Sequence, residues 1–206
     1  MNKEHLDRVA VYYHSVLHAS DFSYQPNSSW DDQTLDLLGL LESNIPEGST
    51  ITEIGSGAGK WLCLLSQHCS NLIGIEPNDY LRNTCTKVVS QLHLKNITVV
   101  DNHMPKCIGS ITSEVVLLMG SIYLNDWRLV YDSLLDNTLV QTIIVFDGPD
   151  TERTQFNTSW TTSFNGLRRP LLSGDELTMS QMATERNWIT TLIPKANEWL
   201  LIAKRK

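Results

Sequence analysis

Short apolar runs alternate with stretches of helix length after residue 50, and this rhythm limits the fold more than any other feature. Five runs, each bounded by Gly, Asn, Asp or Pro, are TITEI, NLIGI, NITVV, EVVLLM and TIIVF. Strands that are apolar on both faces and separated by helices are typical of a parallel sheet covered on both sides. Two further runs, WITTLIP and EWLLIAK, are joined by KAN and predict an antiparallel hairpin. The sequence therefore predicts an α/β fold with a doubly wound, mostly parallel seven-stranded sheet and a C-terminal antiparallel hairpin.

Three further helices are predicted outside the alternating region. Apolar residues between Leu6 and Leu17 recur at three- and four-residue steps, as on one face of an amphipathic helix. A second helix is predicted from Asp32 to Leu41, capped by a serine or aspartate of the preceding NSSWD segment. A third is predicted to begin near Ser173, where SGDEL has the pattern of a capping box, and to end near Asn187.

The charge balance argues against a general nucleic-acid binder. The net charge is −7, and Lys204-Arg205-Lys206 is the single basic run, which we expect to be a solvated end. The N-terminus is charged where a signal peptide is apolar, and no stretch approaches the roughly 20 apolar residues that span a bilayer. We therefore expect a cytoplasmic protein with no nucleic-acid or membrane partner.

The cysteines Cys63, Cys69, Cys85 and Cys107 show no C-x-x-C spacing and have no histidine at a zinc-ligand interval. In a reducing cytosol they are interpreted as small buried hydrophobic residues. The alternative is a soft-metal or metalloid substrate held by thiols. We predict no metal site.

The segment TEIGSGAGKW, residues 52–61, places three glycines in five positions between a predicted strand and a predicted helix. In an open α/β sheet, ligands bind beyond the carboxyl ends of the strands, where the first strand turns into a helix. Gly55, Gly57 and Gly59 would let the backbone turn sharply and lie against such a ligand.

Three ligand classes compete for this turn. A P-loop requires G-x-x-x-x-G-K-[ST], but Ile54 and Trp61 replace its first glycine and its hydroxyl residue. A dinucleotide site requires G-x-G-x-x-G, whereas this turn reads G-x-G-x-G and Glu53 would repel a pyrophosphate. A ligand with a positive charge and a ribose fits better. Glu76 ends the second apolar run, where a carboxylate accepts hydrogen bonds from both hydroxyls of an unphosphorylated ribose.

These two segments, ITEIGSGAGKW and LIGIEPN, resemble the first two motifs of class I S-adenosylmethionine-dependent methyltransferases. In that family the E/D-x-G-x-G-x-G loop wraps the methionine part of the cofactor, and the acid that ends the second strand holds the ribose. The resemblance implies a Rossmann-like fold, a methyltransferase activity and S-adenosyl-L-methionine as the cofactor. It assigns seven residues of these motifs to cofactor binding: Glu53, Gly55, Ser56, Gly57, Gly59, Glu76 and Pro77.

Weaker similarity covers the third and fourth strands. NITVVDNHMP resembles the motif whose turn commonly carries an Asp near the adenine, and here Asn102 falls at that position with Asp101 one residue early. An Asn carbonyl oxygen also accepts from the adenine amino group, and His103 at the same turn is expected to contact the cofactor. EVVLLMGSIYLNDW resembles the fourth-strand motif, which implies that Met119 and Gly120 border the cofactor.

Methyl transfer from a sulfonium requires alignment, and it requires a general base only when the acceptor must lose a proton early. The candidate catalytic residues are His14, Tyr123 and Asp147, and His18 is an alternative because it lies one helical turn from His14. A packing or surface role stays open for the histidines, and Asp147 equally suits the cap of the next turn. The resemblance implies that the N-terminal helix closes over the cofactor, so Tyr13 is expected to contact it, and a role in the core stays open for Tyr12 and Tyr13.

Tyr12, Trp160 and Arg168 are the candidate substrate-binding residues, because aromatic walls and a guanidinium suit an anionic or aromatic acceptor. The chain is predicted to be a single domain, residues 1–206, in four parts. These are an N-terminal helical cap (1–44), a cofactor-binding core (45–147), a lid or substrate loop (150–172) and a C-terminal helix and hairpin (173–206).

The function predicted from these motifs is methyl transfer to a small-molecule acceptor by a monomer or homodimer. The motif [DN]-P-P-[FY], which similar amino-group methylases of adenine or glutamine carry after the fourth strand, is replaced by MGSI. Two alternatives stay open, namely an RNA or protein acceptor and a non-catalytic protein that binds S-adenosylmethionine.

Overall fold

A computed structural model describes residues 2–17, 29–121, 126–147, 174–195 and 198–206. The helices and strands, in chain order, are α1 (Lys3–Leu17), α2 (Asp32–Asn44), β1 (Thr50–Ile54), α3 (Lys60–Leu65), β2 (Asn71–Ile75), α4 (Asp79–Gln91), β3 (Ile97–Val100), a 3₁₀-helix (Lys106–Ser110), β4 (Val115–Met119), α5 (Trp127–Asp136), β5 (Thr142–Asp147), α6 (Asp175–Glu185), β6 (Trp188–Lys195) and β7 (Glu198–Arg205).

The seven strands form one sheet in the order β3-β2-β1-β4-β5-β7-β6. The pairs β1–β2, β2–β3 and β4–β5 are parallel, whereas β7 runs antiparallel to both β5 and β6. The predicted fold class is therefore confirmed, including the C-terminal hairpin at the sheet edge. All six residues of β5 are buried, as expected of a strand covered on both faces.

The chain divides into two compact units, Met1–His103 and Met104–Lys206. The prediction of a single domain in four parts is not tested by this division and stays a prediction. Within the residues that the structure describes, no helix is long and apolar enough to cross a membrane.

In the first unit, α1 packs on α3 and α4. Its buried His5 donates a hydrogen bond from Nε2 to the carbonyl oxygen of Cys63, at 3.0 Å, and Ser66 Oγ donates to the same oxygen. Burial lowers the pKa of His5, so the neutral imidazole is the form that joins α1 to α3.

Helix α2 has the predicted start and a later end. The Asp31 carboxylate accepts a 2.7 Å hydrogen bond from the backbone N–H of Thr34 and caps the helix. The predicted end at Leu41 is too early, because Asn44 is the last helical residue. Nothing between these two positions breaks a helix, and the chain leaves helical geometry only just before Pro46.

All four cysteines are free and buried, which confirms the packing interpretation. Burial raises the pKa of the Cys85 thiol to about 12 and that of Cys107 to about 11, so both are neutral thiols at physiological pH.

In the second unit, the predicted start of α6 needs a correction. The helix begins at Asp175, and the residue at its cap position is Gly174, which has φ +95° and no side-chain hydrogen bond. The backbone N–H of Gly174 instead donates to Glu176 Oε2 at 3.1 Å. Ser173 lies outside the described residues.

The basic C-terminal run is only in part the solvated end that we expected, because Lys206 is exposed whereas Arg205 is half-buried. Arg205 donates to three backbone carbonyl oxygens, namely those of Val140, Leu135 and Asn137, at 3.1, 3.1 and 2.8 Å. Its guanidinium carbon also lies 4.6 Å from the centre of the Trp188 ring. Arg205 therefore joins β7 to the end of α5, which a short basic run gives no means of predicting.

We expect the substitution Arg205→Ala to lower the free energy of unfolding by about 2 kcal/mol, because it removes hydrogen bonds to buried carbonyls and a cation–π contact. Arg205→Lys should recover little, since an ammonium lacks the planar fork that reaches several acceptors. Urea denaturation measures both effects, with Lys206→Ala at an exposed position as the control. Equal stabilities of R205A and K206A would contradict the structural role.

Candidate functional site

The three glycines between β1 and α3 all have left-handed backbone geometry, with φ of +74° at Gly55, +55° at Gly57 and +83° at Gly59. The structure gives them different surroundings. A Cβ added at Gly57 would meet no atom within 4 Å in the part of the chain that the structure describes, its two chain neighbours aside, so these residues leave this side of the turn bare. A Cβ added at Gly59 would lie 2.2 Å from Cys85 Sγ in α4. Gly57 thus leaves room for a ligand, whereas Gly59 leaves room for α4.

Glu76 follows β2 and is joined directly to the glycine turn. Its Oε2 accepts a hydrogen bond from the backbone N–H of Gly57, and its Oε1 accepts one from that of Asn78, both at 2.8 Å. Burial raises the pKa of Glu76, and these two hydrogen bonds oppose the shift. The carboxylate therefore has a fixed orientation at the carboxyl edge of the strands, with Pro77 half-buried beside it.

Glu53 and Ser56 are buried polar residues with unsatisfied atoms. Their exposed fractions are 2% and 5%, and neither Glu53 Oε2 nor Ser56 Oγ has a hydrogen-bond partner within the described ranges. Burial, followed by the charge of Glu76, raises the pKa of Glu53 well above its usual value. Buried polar atoms in folded proteins are nearly always paired, so these two atoms point to a ligand that brings a donor and a positive charge.

Helix α1 presents Tyr13 to this part of the site. Its ring centre lies 5.5 Å from those of both His14 and Trp30. Burial and the nearby Glu53 raise the pKa of Tyr13 to about 12, so the phenol stays protonated and lies close to the acid before the glycine turn. His14 is half-buried, with its ring centre 5.1 Å from that of Trp30.

Tyr12 lies on a different face of α1 from Tyr13. Its side chain is 36% exposed. It borders a surface depression along the helix, which is also lined by Lys3, Glu4, Asp7, Arg8 and Val11. The two adjacent tyrosines are therefore separated by the helical turn, and only Tyr13 is near Glu53.

At the end of β3, Asn102 is half-buried and its Oδ1 accepts a 2.9 Å hydrogen bond from the backbone N–H of His103, whose side chain is exposed. Asp101 is exposed and forms a 3.5 Å ion pair with Arg82. Arg82 also donates to the carbonyl oxygen of Glu76 at 2.9 Å. One guanidinium therefore contacts both the residue after β2 and the residue after β3.

In the second unit, Met119 ends β4 and is half-buried. Gly120 follows with φ +70°, and its N–H donates to the carbonyl oxygen of Phe146 at 2.7 Å. Asp147 ends β5 and is fully buried. Four predicted residues lie outside the described residues, namely His18, Tyr123, Trp160 and Arg168.

The sequence interpretation overlooked several residues of this region. Trp30 lies outside any periodic segment, Arg82 lies within a helix, and Lys60 follows the last glycine of the motif without belonging to it. No local signal marks Cys85 as the neighbour of Gly59, because 26 residues separate them. Within the described ranges, no group of three or more His, Cys, Asp or Glu side chains is placed to hold a metal ion.

Solved structures that are similar to this chain include methyltransferases. The magnesium protoporphyrin IX methyltransferase of Synechocystis PCC 6803, solved with bound SAH, is 14% identical with a TM-score of 0.63, and the match covers 97% of this chain and 100% of that one. The methyltransferase domain of bacterial CtHen1 is 15% identical with a TM-score of 0.60, and 84% and 97% of the chains are covered. The chain therefore has the fold of S-adenosylmethionine-dependent methyltransferases, and the resemblance of its motifs is confirmed at the level of the fold.

A curated relative is the ribosomal RNA small subunit methyltransferase G of Pseudarthrobacter chlorophenolicus, which is 35% identical over 79 residues. The match spans 37% of this chain and 37% of the relative, so the chain spans little more than a third of that protein. No protein-family model matches the chain.

Proposed function

We propose that the chain is a methyltransferase that binds S-adenosyl-L-methionine at the glycine turn and transfers its methyl group to a small-molecule acceptor. One observation carries the cofactor proposal. Among residues 2–17, 29–121, 126–147, 174–195 and 198–206, Glu53 Oε2 and Ser56 Oγ are buried without hydrogen-bond partners, and no atom of these ranges fills the space beside Gly57. The amino-acid end of S-adenosylmethionine brings the positive charge and the donors that these atoms lack.

The residues around the turn have separate roles in this proposal. The bare backbone of Gly57 admits the methionine part, and Glu53 meets its ammonium. Glu76 accepts from the ribose hydroxyls with the lone pairs that its two backbone hydrogen bonds leave open. Asn102, His103, Met119 and Gly120 remain the proposed neighbours of the adenine and the sulfonium end.

When bound, the cofactor supplies an activated methyl carbon, so the chain itself must align the acceptor and exclude water. Tyr13 is suited to the second task, because it is a neutral, half-buried phenol beside Glu53. His14 and Asp147 remain proposed catalytic residues for an acceptor that loses a proton, together with Tyr123. Tyr12, Trp160 and Arg168 remain proposed substrate contacts.

The small-molecule acceptor is supported by the net charge of −7, since RNA-binding surfaces are built from clustered Lys and Arg. A second candidate is an RNA acceptor. The observation in its favour is the 79-residue similarity to a ribosomal RNA methyltransferase. A non-catalytic protein that binds the cofactor is the third outcome that an experiment must separate.

We expect S-adenosylmethionine and S-adenosylhomocysteine to bind with micromolar dissociation constants in isothermal titration calorimetry, and NAD to give no heat. NAD is the matched control, because it shares the adenosine but carries the pyrophosphate that Glu53 would repel. The absence of heat with both sulfur compounds at high micromolar concentration would contradict the proposed cofactor.

The acceptor class is tested with methyl-labelled cofactor and a cell extract divided into small-molecule, RNA and protein fractions. We expect label in the small-molecule fraction only. Label in the RNA fraction would favour the second candidate, and cofactor binding without transfer to any fraction would favour the non-catalytic protein.

A further inference from the structure

Lys60 is the residue directly after the glycine turn, and its ammonium group contacts the first turn of α2. Its Nζ donates a 2.7 Å hydrogen bond to Thr34 Oγ1. The Thr34 hydroxyl in turn donates to Asp31 Oδ2 at 3.1 Å. A series of two charge-assisted hydrogen bonds therefore connects the first residue of α3 to the carboxylate that caps α2.

Two indole rings enclose the same ammonium. Nζ lies 5.1 Å from the ring centre of Trp30 and 5.0 Å from that of Trp61, and both rings are buried. Burial lowers the pKa of Lys60, and the Asp31 carboxylate opposes the shift. A partly buried charge costs free energy unless it is paired, and here a hydrogen bond and two ring faces stabilise it.

Trp30 extends the contact to α1. Its Nε1 donates to the carbonyl oxygen of Leu6 at 3.2 Å, and its ring packs against Tyr13 and His14. Lys60 thus touches Trp30, and Trp30 touches the face of α1 that carries Tyr13. These contacts place one cation between the glycine turn and the N-terminal helices.

We infer that Lys60 is a positioning residue that holds Trp30 and the start of α2 against the glycine turn, so that Tyr13 is kept over the cofactor site. The inference rests on the proposed function and deepens it. Lys60 acts through Thr34 and Trp30 and does not itself need to contact the cofactor. The charge and the donors of Lys60 make the link, because its Nζ contacts both Thr34 Oγ1 and the two indole rings.

The test compares Lys60→Met, which keeps the length and apolar stem, with Lys60→Arg, which keeps a charge and donors. Thr34→Val removes the acceptor hydroxyl at nearly constant shape. Lys87→Met makes the same chemical change at an exposed position of α4 and is the control. The dissociation constant of S-adenosylhomocysteine is measured for each folded variant by calorimetry, and folding is checked by urea denaturation.

We expect K60M and T34V each to weaken binding about tenfold, as the loss of one charge-assisted hydrogen bond predicts, and the double variant to be no weaker than either single one. K60R should retain most of the affinity and K87M all of it. The inference is overturned if K60M binds like the native chain, if K60M lowers only the stability, or if T34V leaves the affinity intact. A native chain that does not bind at all would refute the proposed function instead.

Discussion

Replacing Gly59 with alanine is expected to lower the free energy of unfolding by about 3 kcal/mol, which is the largest stability loss that the glycine turn predicts. Two costs add at this position. The backbone has φ +83°, a conformation that alanine adopts only with strain, and the new methyl group would lie 2.2 Å from Cys85 Sγ. Cys85 is fully buried, so a rotation of its side chain away from the new methyl group would have to displace packed neighbours.

Gly57→Ala is the matched comparison, because it carries a similar backbone cost without the clash. With φ +55° and no atom of the described segments within 4 Å of the added Cβ except its chain neighbours, it should lose only about 1 kcal/mol of stability. The same Cβ would project into the space proposed for the cofactor, so G57A should lose binding while staying folded. The two variants thus test two different requirements. Gly59 is required for packing against α4, and Gly57 is required for binding of the ligand.

Urea denaturation gives the stabilities, and calorimetry with S-adenosylhomocysteine gives the affinities. A second variant checks the cause, since adding Cys85→Ala to G59A removes the clashing sulfur and should recover part of the lost stability. The remaining contact with Cys85 Cβ, at 3.3 Å, and the positive φ should prevent full recovery. Equal stability of G59A and G57A would refute the packing argument.

The strands were predictable because their pattern is local. TITEI and NLIGI are β1 and β2 with the predicted bounds, and the later apolar runs differ by at most one residue at either end. Each run is apolar on both faces and is closed by residues that favour turns, so the information needed to place it lies within about eight positions. The alternation of strands and helices then predicts that these strands run parallel to one another.

The contacts that shape the candidate site depend on residues far apart in sequence. Glu76 was predictable as a ribose acceptor at a strand end, but its hydrogen bond to Gly57 joins residues 19 positions apart. The contacts of Cys85 with Gly59 and of Lys60 with Trp30 span 26 and 30 positions. Such contacts follow from how the helices pack, and a single sequence carries no periodic signal for them.

Arg205 shows the same limit at the other end of the chain. A basic residue near a terminus is usually solvated, and only the position of α5 beside β7 supplies the carbonyl oxygens that bind it.

Tyr12 and Tyr13 differ for a related reason. The sequence predicts Tyr12 as a substrate contact and Tyr13 as a cofactor contact, but it does not show their surroundings, which differ because adjacent residues of a helix point about 100° apart.

Glu53→Gln is expected to stabilise the ligand-free chain at alkaline pH and to weaken S-adenosylmethionine binding by roughly 10- to 100-fold. The pKa of Glu53 is raised in the folded state, chiefly by burial. Above the usual pKa of a glutamate, the unfolded chain releases this proton while the folded chain retains it, so stability falls as pH rises towards the folded pKa. Glutamine has no proton to release, and the loss should disappear.

Burial favours the protonated form of Glu53, whereas binding of the cofactor should favour the ionised form. The positive charge of the cofactor favours the ionised carboxylate, so the native chain should release a proton to the buffer when it binds, and E53Q should not. Calorimetry in two buffers of different ionisation enthalpy measures that difference at one pH. Glu47→Gln, at an exposed position, should leave both the proton release and the pH dependence of stability unchanged. Identical proton release by the native chain and E53Q would show that Glu53 does not meet the cofactor's charge, because a buried carboxyl beside a cation cannot keep its proton at the same pH.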